Sequence, residues 1–212
     1  MFTPYGVLSF HMELDRPLDR VLETGTHVRV LRALAGLPVG FAASGREIAR
    51  RAGTSHTTAS RILHGLEDLR VVHLQRAGQA DLYLLNEAHV LVPQIRALFE
   101  QEGGIRSQLL AYLRAELPPR IGQAEGAFLF GSAGRGGTHP ESDIDVGVVA
   151  PVRPAAQLEP ALAALSAAVR DRFGSELNVL VTRNGRGRQR RSKLWERIEV
   201  EGVQLLEARR RG

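Results

Sequence analysis

The chain has 212 residues, 43% hydrophobic and 24% charged, which excludes a disordered or fibrous polymer and allows one large or two small globular domains. There is no cysteine, so disulfides and thiolate metal sites are excluded, and no apolar run reaches the ~20 residues of a membrane span. The formal charge is +5, and among the 28 basic residues Lys193 is the single lysine. This arginine excess permits a phosphate-bearing partner without demonstrating one.

The N-terminus lacks a basic segment followed by an apolar core, which argues against a secretory leader and for a cytoplasmic protein. Met12 offers an alternative start, which would make residues 1–11 an upstream extension. From Pro17 to Asn86 the pattern reads as short helices followed by a hairpin. Val28, Leu31 and Leu34 form the apolar face of a first helix. Ser44 with Glu47 three residues later is a capping-box pattern that opens a second helix, with Ile48 and Ala52 inward and Gly53 ending it. Ser55 caps a third helix, in which Ala59, Ile62, Leu63, Leu66 and Leu69 follow helical spacing. Two extended runs follow, 71–75 and 80–85, around a turn at Arg76-Ala77-Gly78-Gln79.

This order of helices and hairpin, with the segments Gly45 to Gly53, Ser55 to Leu63 and Leu66 to Val72, resembles the bacterial winged-helix transcription regulators. The resemblance implies binding to double-stranded DNA, with the third helix in the major groove. Its polar face carries Thr57, Thr58, Ser60, Arg61 and His64, and Arg76 stands at the wing tip. Any surface helix has a polar face, so these residues equally fit a plain solvated surface. Regulators of this kind are commonly dimers, and a homodimer is the expectation by analogy.

Residues 91–117 read as helical, with a break at Gly103-Gly104 and a stop at Pro118-Pro119. Beyond them the chain alternates: an apolar strand over 127–130, another over 144–150, an amphipathic helix over 155–173 with Leu158, Leu162, Leu165 and Val169 in register, a third strand over 176–181 and a last helix over 192–201. Trp195 and Leu194 fall at helical spacing with Ile198 and read as core. Arg183 to Arg191 is strongly basic and reads as a loop.

The chemistry lies between the first two of these strands. The strand at 127–130 delivers the chain into Gly131-Ser132, and ten residues later comes Asp143-Ile144-Asp145. On an extended segment residues two apart point the same way, so both carboxylates share a face and repel unless a cation lies between them. Oxygen donors alone favour a hard divalent ion such as Mg2+. The intervening glycines let backbone N–H groups approach an anion, and Ser132 and Arg135 add a hydroxyl and a guanidinium for phosphate oxygens. His139 in the same loop reads as exposed rather than ligating.

Phe-Gly-Ser, ten residues, then Asp-Ile-Asp-Val resembles the DNA-polymerase-β-type nucleotidyltransferases, most of all the minimal and kanamycin-nucleotidyltransferase-like members. The resemblance covers about Ile121 to Leu206. It implies that Gly131 and Ser132 bind the phosphates of a nucleoside triphosphate and that Asp143 and Asp145 bind Mg2+. It also implies a third carboxylate on a later strand, where this chain has Asn178, with Glu176 two residues away on the same face. An amide is a poor general base, so either Glu176 substitutes or the domain only binds nucleotide.

The expected fold is α+β: a winged helix-turn-helix over 17–87, a helical connector over 88–103, and over 104–212 a nucleotidyltransferase fold with a small mixed sheet and flanking helices. The expected function is Mg-dependent transfer of a nucleoside monophosphate to an acceptor hydroxyl, on a protein or RNA, coupled to DNA binding. The alternative is a transcription regulator, or an antitoxin-like protein, whose transferase domain is degenerate and only binds nucleotide.

Overall fold

The computed structural model describes residues 17–78, 80–121, 124–131, 143–150, 158–183 and 193–206. The chain forms two compact units that part between Gly103 and Gly104. The first contains α1 (Pro17–Val21), α2 (Gly25–Ala35), β1 (Ala43–Ser44), α3 (Gly45–Ala52), α4 (His56–Asp68), β2 (Val72–Ala77) and β3 (Ala80–Leu85).

Three side chains start three of these helices. Thr24 accepts from the His27 N–H, Ser44 from the Glu47 N–H at 3.2 Å and Ser55 from the Thr58 N–H at 3.1 Å. Each satisfies a donor that the first helical turn leaves unpaired, a contribution of about 0.5–2 kcal/mol. The capping box at Ser44 closes on one side only. Glu47 turns to Arg50 and Arg51 instead, and their hydrogen bonds hold its carboxyl down to about 2. Gly53, at φ +60°, ends α3 in the left-handed conformation that glycine adopts without strain.

Val30, Leu31, Leu34, Ile48, Leu63, Leu66, Val71 and Tyr83 fill the first core. On α2 the buried stripe is Val30, Leu31 and Leu34, whereas Val28 is only half-buried. The helix packs on both α3 and α4, which centres its buried face past Val28. The wing is tighter than expected. β2 and β3 pair from Val72↔Leu85 to Ala77↔Ala80, so Arg76 and Ala77 belong to the ladder. The ladder closes at Ala77↔Ala80, and Gly78 beyond it is at φ +63°. β1 joins through Ala43↔Tyr83, giving the order β1-β3-β2.

A single helix, α5 (Val92–Ile121), begins in the first unit and ends in the second, with neither the break at Gly103-Gly104 nor the stop at Pro118-Pro119. Glycine in a helix costs about 1 kcal/mol but removes no hydrogen bond, so good helix formers on both sides carry the helix through. The prolines fall in its last turn, where few further bonds remain to be lost. Near its start Arg96 donates to the carbonyls of Ala35 and Leu37 at 2.8 and 3.1 Å while paired with Glu87, and so ties down the end of α2.

The second unit adds β4 (Gly126–Phe130), β5 (Ile144–Ala150), α6 (Leu158–Phe173), β6 (Leu177–Arg183), α7 (Lys193–Glu201) and β7 (Val203–Leu206). The sheet order is β6-β5-β4-β7, with β5 parallel to β6 and the other pairs antiparallel. On one face Leu113, Leu117, Leu129, Val146, Leu165 and Val169 form the core. On the other, Val149, Trp195 and Ile198 pack with Phe128 and Phe130. The architecture is mixed α+β, as expected. Leu194 departs from its expected core position and is 49% exposed, because α7 buries the single stripe through Trp195 and Ile198. Among the described residues no helix is long and apolar enough to cross a membrane.

Gly147 on β5 lies under the Trp195 ring, and a Cβ there would stand 3.0 Å from Cη2 of Trp195 and 3.2 Å from Cγ2 of Ile198. Gly147→Val overfills this layer and should destabilise the second unit by about 1–3 kcal/mol. Trp195 is the chain's single tryptophan, so the shift is read as a lower urea midpoint in its fluorescence. An unchanged midpoint would refute the packing described.

Candidate nucleotide and metal site

The pleat of β5 sends Ile144, Val146 and Val148 into the core and turns Asp143, Asp145 and Gly147 to the opposite face. The neighbouring strands fix what lies beside the aspartates. Phe130 of β4 pairs with Asp145 and the chain then enters Gly131. Asn178 of β6 pairs with Asp145 on the other side. Three strands therefore bring Gly131, Asp143, Asp145 and Asn178 together at one end of the sheet.

Gly131 is at φ +70°, and a Cβ on it would overlap Oδ2 of Asp145. Any side chain here would meet both backbone strain and a collision. The bare Cα lets the Asp145 carboxylate pack directly against the Gly131 backbone. Asn178 donates from Nδ2 to Oδ2 of Asp143 at 2.9 Å. Burial pushes the half-buried Asp145 carboxyl up, hydrogen bonding from Asn178 takes back part of that shift, and the charge of Asp143 adds to it. Asp143 and Asn178 are exposed and open to a ligand.

Glu176 is engaged elsewhere. Its carbonyl accepts from the Ile144 N–H at 2.8 Å, which aligns the starts of β5 and β6. Its carboxylate is held in a two-point ion pair by Arg170 of α6, at 2.7 Å from Nε and 3.0 Å from Nη2. Arg170 carries no local signal of this role, because the contact spans the turn between α6 and β6. Among the described residues, no three His, Asp or Glu side chains are grouped to hold a metal ion. Ser132, Arg135 and His139, and the basic stretch 184–191, lie outside the described residues.

The donor set still suits a hard cation. Two carboxylates share one face, an amide stands beside them, and the Gly131 backbone lies directly against Asp145. Oxygen donors of this kind fit Mg2+ completed by water or phosphate oxygens.

In the first unit, Thr57, Arg61 and His64 are exposed along α4, and Arg76 is 84% exposed in the wing, 4.0 Å from Asp81. Thr58 and Ser60 are half-buried and committed locally. The Thr58 hydroxyl lies 2.8 Å from that of Ser55, and Ser60 hydrogen-bonds Tyr83. The ring of His64 donates from Nδ1 to the Ser60 carbonyl at 2.8 Å and meets Tyr83 edge-on. Tyr83 thus braces α4 from beneath the wing, a role its inward position on β3 allows but its sequence does not single out.

Residues 24–80 match the MarR family, and residues 108–205 match the nucleotidyltransferase domain. No curated protein matches the chain. Among solved structures, the chain is similar to an E. coli protein described as a predicted DNA-binding transcriptional regulator, at 24% identity and TM-score 0.35, over 41% of this chain and 86% of that one. It is similar to a toxin-antitoxin structure with AMP-PNP at 22% identity and TM-score 0.37, over 47% and 74%. It is also similar to a homodimeric winged helix-turn-helix DNA-binding domain from Mycobacterium bovis at 28% identity and TM-score 0.33, over 42% and 80%.

The raised carboxyl of Asp145 has a consequence for stability. Between its ordinary value of 3.8 and its raised folded value, the native state holds a proton that the unfolded chain has lost. Stability therefore falls as pH rises through that window, and above it the ionised group costs the fold. Asp145→Asn should raise the urea midpoint at pH 7, with the gain shrinking as pH drops below the ordinary value. A midpoint lowered at pH 7 would contradict this account.

Proposed function

Taking the chain as a MarR-type winged helix joined to a nucleotidyltransferase domain, we propose that it is a DNA-binding regulator whose second unit binds a nucleoside triphosphate with Mg2+. The observation that carries this reading is the meeting of Gly131, Asp143 and Asp145 with an amide, Asn178, in the third position. Asp143 and Asp145 would hold Mg2+, which neutralises phosphate charge when bound. The Gly131 backbone, followed in sequence by Ser132 and Arg135, would receive the phosphate oxygens. Asn178 supplies a neutral oxygen or N–H but no base, so the site is equipped to bind a nucleotide better than to turn it over.

On the DNA side, Thr57, Arg61 and His64 are the exposed groups of α4 that would meet base edges, and Arg76 would contact a phosphate or the minor groove. Binding is expected to weaken steeply with salt, as phosphate contacts require. A homodimer would read two half-sites about one helical turn apart.

A second reading, catalytic transfer to a protein or RNA hydroxyl, is favoured by one observation: the Glu176 carboxylate stands two residues before Asn178, where the Glu176 carbonyl bonds the start of β5. It requires Glu176 to leave Arg170. The two readings part on pyrophosphate release.

Each of the four nucleoside triphosphates with Mg2+ is tested for thermal stabilisation and pyrophosphate release, and a promoter footprint is taken with and without the best of them. The expected result is stabilisation that is lost in Asp143→Ala/Asp145→Ala, a footprint that shifts with nucleotide and is lost in Arg61→Ala/Arg76→Ala, and little pyrophosphate. Stabilisation that survives the double aspartate substitution would sink the proposed site. A footprint indifferent to nucleotide would sink the regulatory coupling, and rapid pyrophosphate release would establish the transferase.

A further inference from the structure

From the contacts around Asn178, and resting on the proposed nucleotide site, we infer that this site takes one divalent ion with its nucleotide rather than a pair, and that residue 178 sets that number. Two-ion sites hold their cations about 3.5–4 Å apart. At that distance four positive charges need anionic ligands shared between them. Among the described residues this end of the sheet contributes two carboxylates on one side-chain face, Asp145 on β5 and Asp143 immediately before it. One divalent ion balances them.

The place from which a further anionic ligand would come is the β6 side of the pair, because the register puts residue 178 beside Asp145. That residue is an amide, and its polarity is turned against a cation. Its Nδ2 donates to Oδ2 of Asp143, so the N–H group already fills a lone pair that a bridging ion would use. Turning the amide over offers one neutral oxygen, which adds a ligand without adding charge. The other carboxylate on this side, Glu176, is neutralised at two points by Arg170. On the β4 side, Gly131, the last described residue, presents backbone alone, so it adds no anionic ligand. The asymmetry is physical: the two aspartates form one cation position, and the β6 side closes that position with a hydrogen-bond donor instead of opening a second.

The full-length protein is saturated with Mn2+ and the α,β-methylene analogue of the nucleotide that stabilises it most. Bound Mn2+ per chain is counted by native mass spectrometry, and by anomalous scattering in crystals. The wild type should carry one ion at Asp143 and Asp145, and the near-isosteric Asn178→Asp should carry two. Two ions in the wild type would overturn the inference. One ion in both proteins would also overturn it, because residue 178 would then not decide the count. No ion in the wild type would instead refute the nucleotide–metal reading on which the inference rests, an outcome distinct from the others. The wild-type count is decisive by itself if Asn178→Asp folds poorly.

Discussion

The pleat of β5 is the constraint on which the second unit depends. With a period of two residues, Ile144, Val146 and Val148 go into the core and Asp143, Asp145 and Gly147 go to the other face. A slip of one residue would bury both carboxylates and expose three apolar side chains, so the apolar core itself holds the aspartates outward. The strands on either side then decide the chemistry. β4 arrives antiparallel and ends in a glycine against Asp145, while β6 arrives parallel and sets Asn178 beside it. The same face continues under α7, where Gly147 makes room for Trp195. One strand thus supplies the site at its start and the seat of a helix two residues further on.

Much of this was legible because the local signals agree with the tertiary result. Apolar runs at 127–130 and 144–150 have the length of buried strands, and each abuts a motif whose spacing fixes its neighbour. The caps at Ser44 and Ser55 and the glycine at 53 were legible for the same reason, since each acts within one turn of its own helix. What stayed hidden depends on contacts distant in sequence or on small differences of energy. The continuity of α5 through Gly103-Gly104 is a contest between glycine entropy and flanking helix propensity, which residue types alone do not settle. Strand β7 is four residues long and follows α7 with Gly202 alone between them, too little pattern to mark it. The capture of Glu176 by Arg170 crosses a turn, and nothing in the local sequence distinguishes Arg170 from Arg172.

The first unit teaches a narrower lesson about polar faces. A helical pattern separates the inward side of α4 from the rest, but it does not say which polar groups are already spent. Thr58 serves the N-terminus beside Ser55, and Ser60 serves Tyr83. Both look like base-contacting groups on a helical projection. With these two committed locally, the candidate base-contacting groups left exposed on α4 are Thr57, Arg61 and His64, joined by Arg76 from the wing. That set carries two permanent positive charges, enough to engage phosphate yet few for tight binding by one copy.

If the proposed nucleotide site is right, the amide at 178 favours reversibility. Asp143 and Asp145 repel, and burial already penalises the charge on Asp145. A third carboxylate would deepen cation binding but would raise the cost of the empty site. Asn178 lowers that cost instead, by donating to Asp143 at 2.9 Å and by offsetting part of the burial cost on Asp145. A site that is stable when empty and gains when filled exchanges its ligand with the surrounding pool. Under the proposed reading, such exchange would serve a nucleotide sensor more than a transferase.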